Sequence, residues 1–301
     1  MIELKNEKLA VPVVLFAGIL WSFGPLVVRN MVDPHLVPWQ YIFGRGLTIF
    51  VLLNLYLYFE EGLNFYKNYK KVGRSGAIGG CGLGVAMISF IYSITNTTAA
   101  ITLLCLAAMP FFTALLAFLF LKERISFNVW ISIIIATIGI LIMAIGNTEK
   151  SSIIGFIFGI TSSIGFSIFS VTLRWRKETP KFTTVAVAGL FCFLVATIMI
   201  LTKNQPFFST SYNSSMFSLH GTLVCLGLIL YSIGSKAIPA AELTLLSLTE
   251  VIGGIFWVWL PLFGINEVPS TNTIIGGFFL FVSLVYYSSV SYTHLTLPTI
   301  E

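Results

Sequence analysis

Two side chains in this sequence carry charge where charge is expensive to keep. Arg45 lies within Tyr41-Ile42-Phe43-Gly44 and Gly46-Leu47-Thr48-Ile49-Phe50, and Glu250 between Leu245-Leu246-Ser247-Leu248-Thr249 and Val251-Ile252-Gly253-Gly254-Ile255. Of the twelve acidic residues only Glu250, and of the seventeen basic ones only Arg45, stands deep in an apolar stretch. A charged group at the centre of a membrane helix costs about 2.5–3.5 kcal/mol on insertion scales, so each is a pointer to function. In a protein-lined aqueous cavity, Glu250 can carry a proton or meet a substrate amine, and Arg45 can meet a carboxylate. Each also has a plain structural reading: a neutral Glu bonded to a neighbouring helix, and an Arg held by backbone carbonyls or reaching a polar interface.

Trp21 and Ser22 also fall mid-stretch, and Gly18 and Gly24 beside them let the backbone approach a ligand or another helix. The pairs Gly80 with Gly84 and Gly155 with Gly159 have the four-residue spacing of close helix packing, which is the reading favoured for them. Pro110 interrupts an apolar run and removes one backbone hydrogen bond there, tolerable where neighbours or water satisfy the carbonyl. Cys81, Cys105, Cys192 and Cys225 follow no metal-ligand spacing and read as packing residues, while His35, His220 and His294 are scattered near stretch ends. No phosphate-binding glycine motif occurs, so neither a metal nor a nucleotide cofactor is expected. Energy for any transport must come from a gradient, with the proton as the candidate coupling ion.

These residues need elements to hold them, and the composition says which. Hydrophobic residues make up 56% of the chain and charged ones 10%, too few charges to coat a soluble core. Ten apolar stretches near 10–30, 36–58, 75–95, 98–121, 126–146, 152–173, 183–202, 217–236, 240–263 and 271–290 are each about long enough to cross a bilayer as a helix. An all-α polytopic membrane protein with ten transmembrane helices is therefore expected, with an uncleaved first helix. The breaks are turn and charge clusters such as Asp33-Pro34, Glu60-Glu61-Gly62, Gly146-Asn147 and Lys177-Glu178-Thr179-Pro180, and Asn96-Thr97 alone separates the third and fourth spans.

Orientation follows from the basic residues. With a cytoplasmic N-terminus, thirteen lie in inner segments: Lys5, Lys8, Lys67, Lys70, Lys71, Arg74, Lys122, Arg124, Arg174, Arg176, Lys177, Lys181 and Lys236. Only Arg29, Lys150 and Lys203 lie in outer ones. That asymmetry places both termini in the cytoplasm of a multi-pass inner-membrane or plasma-membrane protein. The net charge of +5 is then explained by inner loops facing anionic lipid, and no nucleic-acid partner is expected.

One pattern occurs twice. Thr98-Ala99-Ala100 opens a span, Pro110 sits in its middle, and Leu121-Lys122-Glu123-Arg124 closes it. Later Pro239-Ala240-Ala241-Glu242 opens a span, Glu250 occupies its middle, and Asn266-Glu267-Val268-Pro269 closes it. Each half, 10–146 and 152–290, holds five spans, and because five is odd the halves must cross in opposite directions. Two inverted five-helix repeats suit a secondary transporter with its site at the midplane between them.

These features, with Trp21-Ser22-Phe23-Gly24 and Gly44-Arg45, resemble EamA-type members of the drug/metabolite transporter superfamily over nearly the whole chain. The resemblance implies a ten-helix carrier of amino acids or other small metabolites, and it raises Tyr92, Asn96, Tyr231, Ser232 and Ser235 to pathway candidates because the corresponding spans line the pathway in the family. Two departures stand out. Val251 follows Glu250 where the family's second copy usually has proline, and the second closing segment is longer and contains Pro261, so a bend in the ninth span is not implied.

The function expected is secondary transport, as an exporter, of small polar metabolites such as amino acids, and no enzymatic activity. The alternative is a membrane-embedded sensor or enzyme without flux. An enzyme would want paired ionisable groups at one level, whereas this chain offers one deep Glu and one deep Arg in different halves. Multiply charged anions would want more than one deep cation. The expected partners are a small-molecule substrate, the lipid bilayer and a second copy of the chain. Residues 291–301 are threonine-rich, lack basic residues and resemble a translated adapter read-through, so no function is assigned to them and the native C-terminus is expected to differ.

Overall fold

In lipid every backbone polar group must be satisfied within its own segment, so long apolar stretches have helix as their answer. The computed structural model describes residues 7–123, 125–145, 153–176, 178–261, 264–265 and 267–296, and no strand occurs among them. Lys5, Arg124, Lys150 and Lys177 of the charge count, the Gly146-Asn147 break, Asn266 and residues 297–301 of the tail lie outside the described residues. The helices are α1 (Glu7–Asn30), α2 (Pro38–Glu61), α3 (Lys67–Lys71), α4 (Gly73–Asn96), α5 (Ala99–Leu106), α6 (Met109–Leu116) and α7 (Phe127–Ile145). They continue as α8 (Ile153–Trp175), α9 (Lys181–Thr202), α10 (Ser211–Gly234), α11 (Ala240–Leu246), α12 (Thr249–Trp259) and α13 (Thr271–Thr296).

Eight helical stretches among the described residues are long and apolar enough to cross a membrane, where the sequence led us to expect ten. The stretches expected fifth and tenth are shorter apolar helices, Phe127–Ile142 and Thr271–Tyr287. The eighth expected span starts earlier than anticipated: α10 begins at Ser211, where the Thr210 hydroxyl accepts the Asn213 backbone N–H and caps the helix. The stretch 203–216, between the expected spans 183–202 and 217–236, is therefore partly helix.

The fourth and ninth stretches are each broken in the middle. Between α5 and α6 the chain turns at Ala107-Ala108, and Pro110 occupies the first turn of α6, where its missing N–H costs nothing. Between α11 and α12 the chain turns at Ser247-Leu248 without any proline. Here the hydroxyls of Thr244 and Ser247 bond back to Ala241 O (2.9 Å) and Thr244 O (2.8 Å), and Leu248 N and Glu250 N close onto carbonyls three residues back. Local back-bonding thus does what the family's proline would have done, and the ninth stretch bends despite Val251.

The strongest helix pairings recur when the two halves of the chain are exchanged. α1 packs on α10 and α12, and in the same way α8 packs on α4 and on α5–α6. α4 meets α9 as α10 meets α2, while α2 meets α9 and α7 meets α13. Close approach depends on glycine at a few points. A Cβ at Gly18 would lie 1.9 Å from Thr249 Oγ1, so α1 can touch the break that precedes α12 only because Gly18 has none. The Gly80, Gly84, Gly155 and Gly159 positions likewise face neighbouring helices, as packing residues do.

Candidate functional site

Where α1, α2, α4, α8, α10 and α12 converge, a cavity of about 60 Å³ remains. Trp21, Arg45 and Glu250, three of the residues singled out from the sequence, line it. Its apolar wall includes Leu83, Met87 and Phe90 of α4, Phe166 of α8, and Val224 and Leu228 of α10. Leu106 and Met109 flank the α5–α6 break and complete that wall, so both broken helices end at the cavity.

Arg45 is 4% exposed, and its guanidinium carbon lies 5.7 Å from the Phe90 ring centroid. The ring face offers a cation partial compensation, yet the buried Nη1 has no hydrogen-bond partner. Glu250 is 9% exposed and is the second residue of α12, where the start of a helix favours negative charge. The break at Ser247-Leu248 brings it there, with its backbone N–H on Ser247 O at 2.9 Å. Among the described residues no hydrogen bond or ion pair joins Arg45 to Glu250, though their charges act on one another. Among the described residues no hydrogen bond joins a backbone carbonyl to the Arg45 guanidinium or a neighbouring helix to the Glu250 carboxyl.

A third polar group in the cavity, His220, escaped the sequence reading. Its Nδ1 shares a hydrogen bond with the Tyr41 hydroxyl, and Tyr41 stacks on Phe217 at 5.0 Å. Gly24 admits the imidazole against α1, since a Cβ there would lie 2.8 Å from Nε2. The available signal was the helix start: with α10 opening at Ser211, His220 lies well inside the helix and not at its end.

The remaining candidates lie outside the cavity lining. Trp21 donates from Nε1 to Val224 O (3.3 Å), and its ring is backed by Tyr231 (5.4 Å), whose hydroxyl pairs with that of Ser170 (2.7 Å). Tyr231 therefore supports a wall residue from behind. Ser22 donates to Ile19 O (2.6 Å) and accepts from Trp257 Nε1 (2.9 Å). Tyr92 packs between Trp39 (5.2 Å) and Phe158 (5.1 Å), and exposed Asn96 donates to Tyr92 O (2.7 Å) at the hairpin tip. Ser235 sits at the end of α10 and accepts from Lys181 Nζ (2.6 Å). Pro110 is buried beside Met109 and shapes the wall through the backbone. No group of three or more His, Cys, Asp or Glu able to hold a metal occurs among the described residues.

Two arginines close the ends of the bundle by the same device. Arg29, at the end of α1, pairs through Nε with Glu267, while Nη1 and Nη2 donate to Ile94 O (3.1 Å) and Thr97 O (2.9 Å) at the end of α4. Arg174, at the end of α8, pairs through Nε with Glu123 (2.6 Å), while Nη1 donates to Ser235 O (3.3 Å) and Ile238 O (2.9 Å) just past α10. Each clamp joins one helix end, a carboxylate following a broken helix of the other half, and two carbonyls three residues apart. They lie at opposite ends of α1. Gly234, one residue before Ser235, approaches Ala10 and Val14, whereas Arg29 is in the last turn of α1. Trp21 and the cavity lie between.

Residues 8–145 match the model of the EamA-like transporter family. Over 259 residues the chain is 25% identical to proteins from two strains of Helicobacter pylori described as uncharacterized transporters, an alignment covering 82% of this chain and 84% of those. A protein of Clostridium kluyveri with the same description is 24% identical over 223 residues, covering 69% of this chain and 68% of that one. One solved crystal structure superposes with a TM-score of 0.73 at 15% identity, covering 97% of this chain and 100% of that one, which is a likeness of fold. The first half of the chain thus carries an EamA-like transporter domain, and with its apolar helices packed as described the chain is a multi-pass membrane transporter.

Proposed function

We propose that the protein is a secondary carrier that exports small zwitterionic metabolites, amino acids first among them, across the plasma membrane by alternating access. The observation that carries this reading is that Arg45 and Glu250 line one cavity without pairing to each other. A free amino acid brings the complementary groups: a carboxylate for the two-pronged guanidinium of Arg45 and an ammonium for Glu250. Its side chain would rest on Phe90, Phe166 and Met87. A substrate with several phosphates would leave most of its charge unmatched against a single arginine. Glu250 can hold either a proton or the amine, so a proton moving one way and a substrate the other would share one group. His220 and Arg45 are the other titratable or charged side chains lining the cavity, and Tyr41 bonds to His220.

Two inverted repeats, 10–146 and 152–290, are the architecture proposed for this cycle, and the pairings that recur on exchange support it. The clamps give the cycle its gates: opening towards one face breaks the Arg29 clamp, and opening towards the other breaks the Arg174 clamp.

The test is flux through the purified protein in proteoliposomes preloaded with labelled amino acids, with and without a proton gradient. Efflux of an apolar amino acid is expected, together with weak or no efflux of analogues lacking either the amine or the carboxylate. Equal efflux of the amine-free and carboxylate-free analogues would remove the zwitterion reading, and no flux of any small metabolite would remove the carrier reading.

A further inference from the structure

We propose that a second pocket, separate from the transport cavity, binds a phosphate group, supplied by the headgroup of an anionic phospholipid. The pocket, of about 280 Å³, lies where α2 and α10 end and α9 begins. Its lining includes Lys71, Lys181, Lys236, Thr183 and Ser232, with Asn68 beside them and one carboxylate, that of Glu178, exposed at the rim.

The first argument is charge placed against local preference. Lys181 is the first residue of α9, a 22-residue helix whose N-terminal end already carries partial positive charge and disfavours a cation. The charges nearest to it in effect are Lys236 and Arg174, both of the same sign. Its ammonium donates to the neutral hydroxyl of Ser235 at 2.6 Å. Cations gathered at a positive helix end repel one another, and an anion seated among them would reverse that repulsion. The second argument is independent of charge. The hydroxyls of Thr183 (0% exposed) and Ser232 (1% exposed) line the same pocket, and both are buried without any hydrogen-bond partner. Buried polar groups are ordinarily satisfied, so two orphans on one pocket wall mark a missing acceptor. A phosphate offers acceptor oxygens enough for both hydroxyls and for the ammonium groups.

The neighbourhood favours a lipid as the source. Immediately before the pocket the chain runs through a 3-10 segment, Gly62–Tyr66, into α3, and exposes Phe59, Leu63 and Tyr66 next to Lys67, Lys70 and Lys71. Apolar side chains alternating with lysines at a helix end suit the boundary between acyl chains and headgroups. Basic pockets between membrane helices on the inner face are where anionic headgroups lodge. Ser235 also links the pocket to the Arg174 clamp, accepting from Lys181 on its hydroxyl and from Arg174 on its carbonyl. A bound headgroup would therefore act one side chain away from that gate.

The experiment measures the unfolding midpoint of the purified full chain in detergent during titration with phosphatidylglycerol, phosphatidylcholine or inorganic phosphate. A rise with phosphatidylglycerol and none with phosphatidylcholine is expected. Lys181→Gln and Lys236→Gln should each weaken the response about tenfold in apparent affinity. Thr183→Val and Ser232→Ala, which change no charge, should weaken it as well, and exposed Lys70→Gln, outside the lining, should not. Should Thr183→Val fail to fold, Ser232→Ala and Lys236→Gln carry the test. A response to inorganic phosphate equal to that of the lipid would keep the phosphate site and change its source. No response to either ligand would overturn the proposal. So would hydroxyl variants that bind like the parent, because the lysines would then be only a diffuse basic surface. None of these outcomes depends on the substrate of the central cavity.

Discussion

At the scale of single residues, the two deep charges were legible because each breaks an apolar run, and the structure brings both to one cavity although 205 positions of chain could have separated them (Arg45 and Glu250 lie in different halves). His220 was not legible, because its depth depends on where α10 starts, and that was set by a Thr210 cap between the expected spans 183–202 and 217–236. The supporting roles of Tyr231 and Ser22 were illegible for a related reason: polarity marks a residue as unusual but does not say whether it faces the cavity or a partner helix. Glu250→Gln keeps shape and hydrogen-bonding capacity but cannot change charge. It should be made at normal levels and lose the dependence of efflux on a proton gradient, while exchange of substrate for substrate persists. Efflux that still follows the gradient as in the parent would reduce Glu250 to a structural acid. Arg45→Gln removes the carboxylate partner and should raise the KM for amino acids about tenfold or more, the value of one charge-assisted pair, with less effect on carboxylate-free amines. An equal effect on both substrate sets would show that Arg45 only holds the helices.

At the scale of elements, Pro110 marked the fourth stretch as interrupted, while no bend was implied for the ninth. The ninth stretch bends through Thr244 and Ser247 back-bonding, a cause too common in helices to be recognised without coordinates. Pro110→Ala restores an N–H where α6 begins and should leave the protein inserted but slow its turnover, because straightening α5–α6 shifts Leu106 and Met109 at the cavity wall. Turnover equal to the parent's would make Pro110 a packing residue. The clamps could not be read at all, since Arg29 meets Glu267 across 238 positions and Arg174 meets Glu123 across 51. Breaking one partly buried clamp should favour the state open at that end by about 1–2 kcal/mol, a factor of about 5–30 in population. A thiol introduced by Ser162→Cys, on the cavity wall, can be labelled by an impermeant maleimide from either side of sealed vesicles. Arg29→Gln should raise labelling from one side and Arg174→Gln from the other. If both variants raise labelling from the same side, the clamps are not opposed gates.

At the scale of the whole molecule, the basic residues and the packing divide the chain in the same way. Lys71, Lys181 and Lys236 meet in one pocket, Arg174 reaches Ser235 beside it, and all were assigned to inner segments. At the other end Lys203 lies 5.9 Å from the Trp39 ring and Asn213 bonds to Val32 through both backbone groups, which joins segments assigned to the outside. Composition alone could sort residues into two faces, because crossing number alternates the sides. It could not show that residues sorted together also touch. The expectation that the N-terminal face is cytoplasmic rests on the charge asymmetry alone, and a reporter tests it. A reporter active only outside the cytoplasm should be silent when fused after Thr296, at the end of α13, and active when inserted at 205–209, between α9 and α10. The cationic pocket then faces the leaflet richer in anionic lipid, and the Arg174 clamp is the gate that export must open first. A reporter active after Thr296 and silent at 205–209 would invert the molecule. The basic pocket would then face outwards, and export would have to begin at the Arg29 clamp.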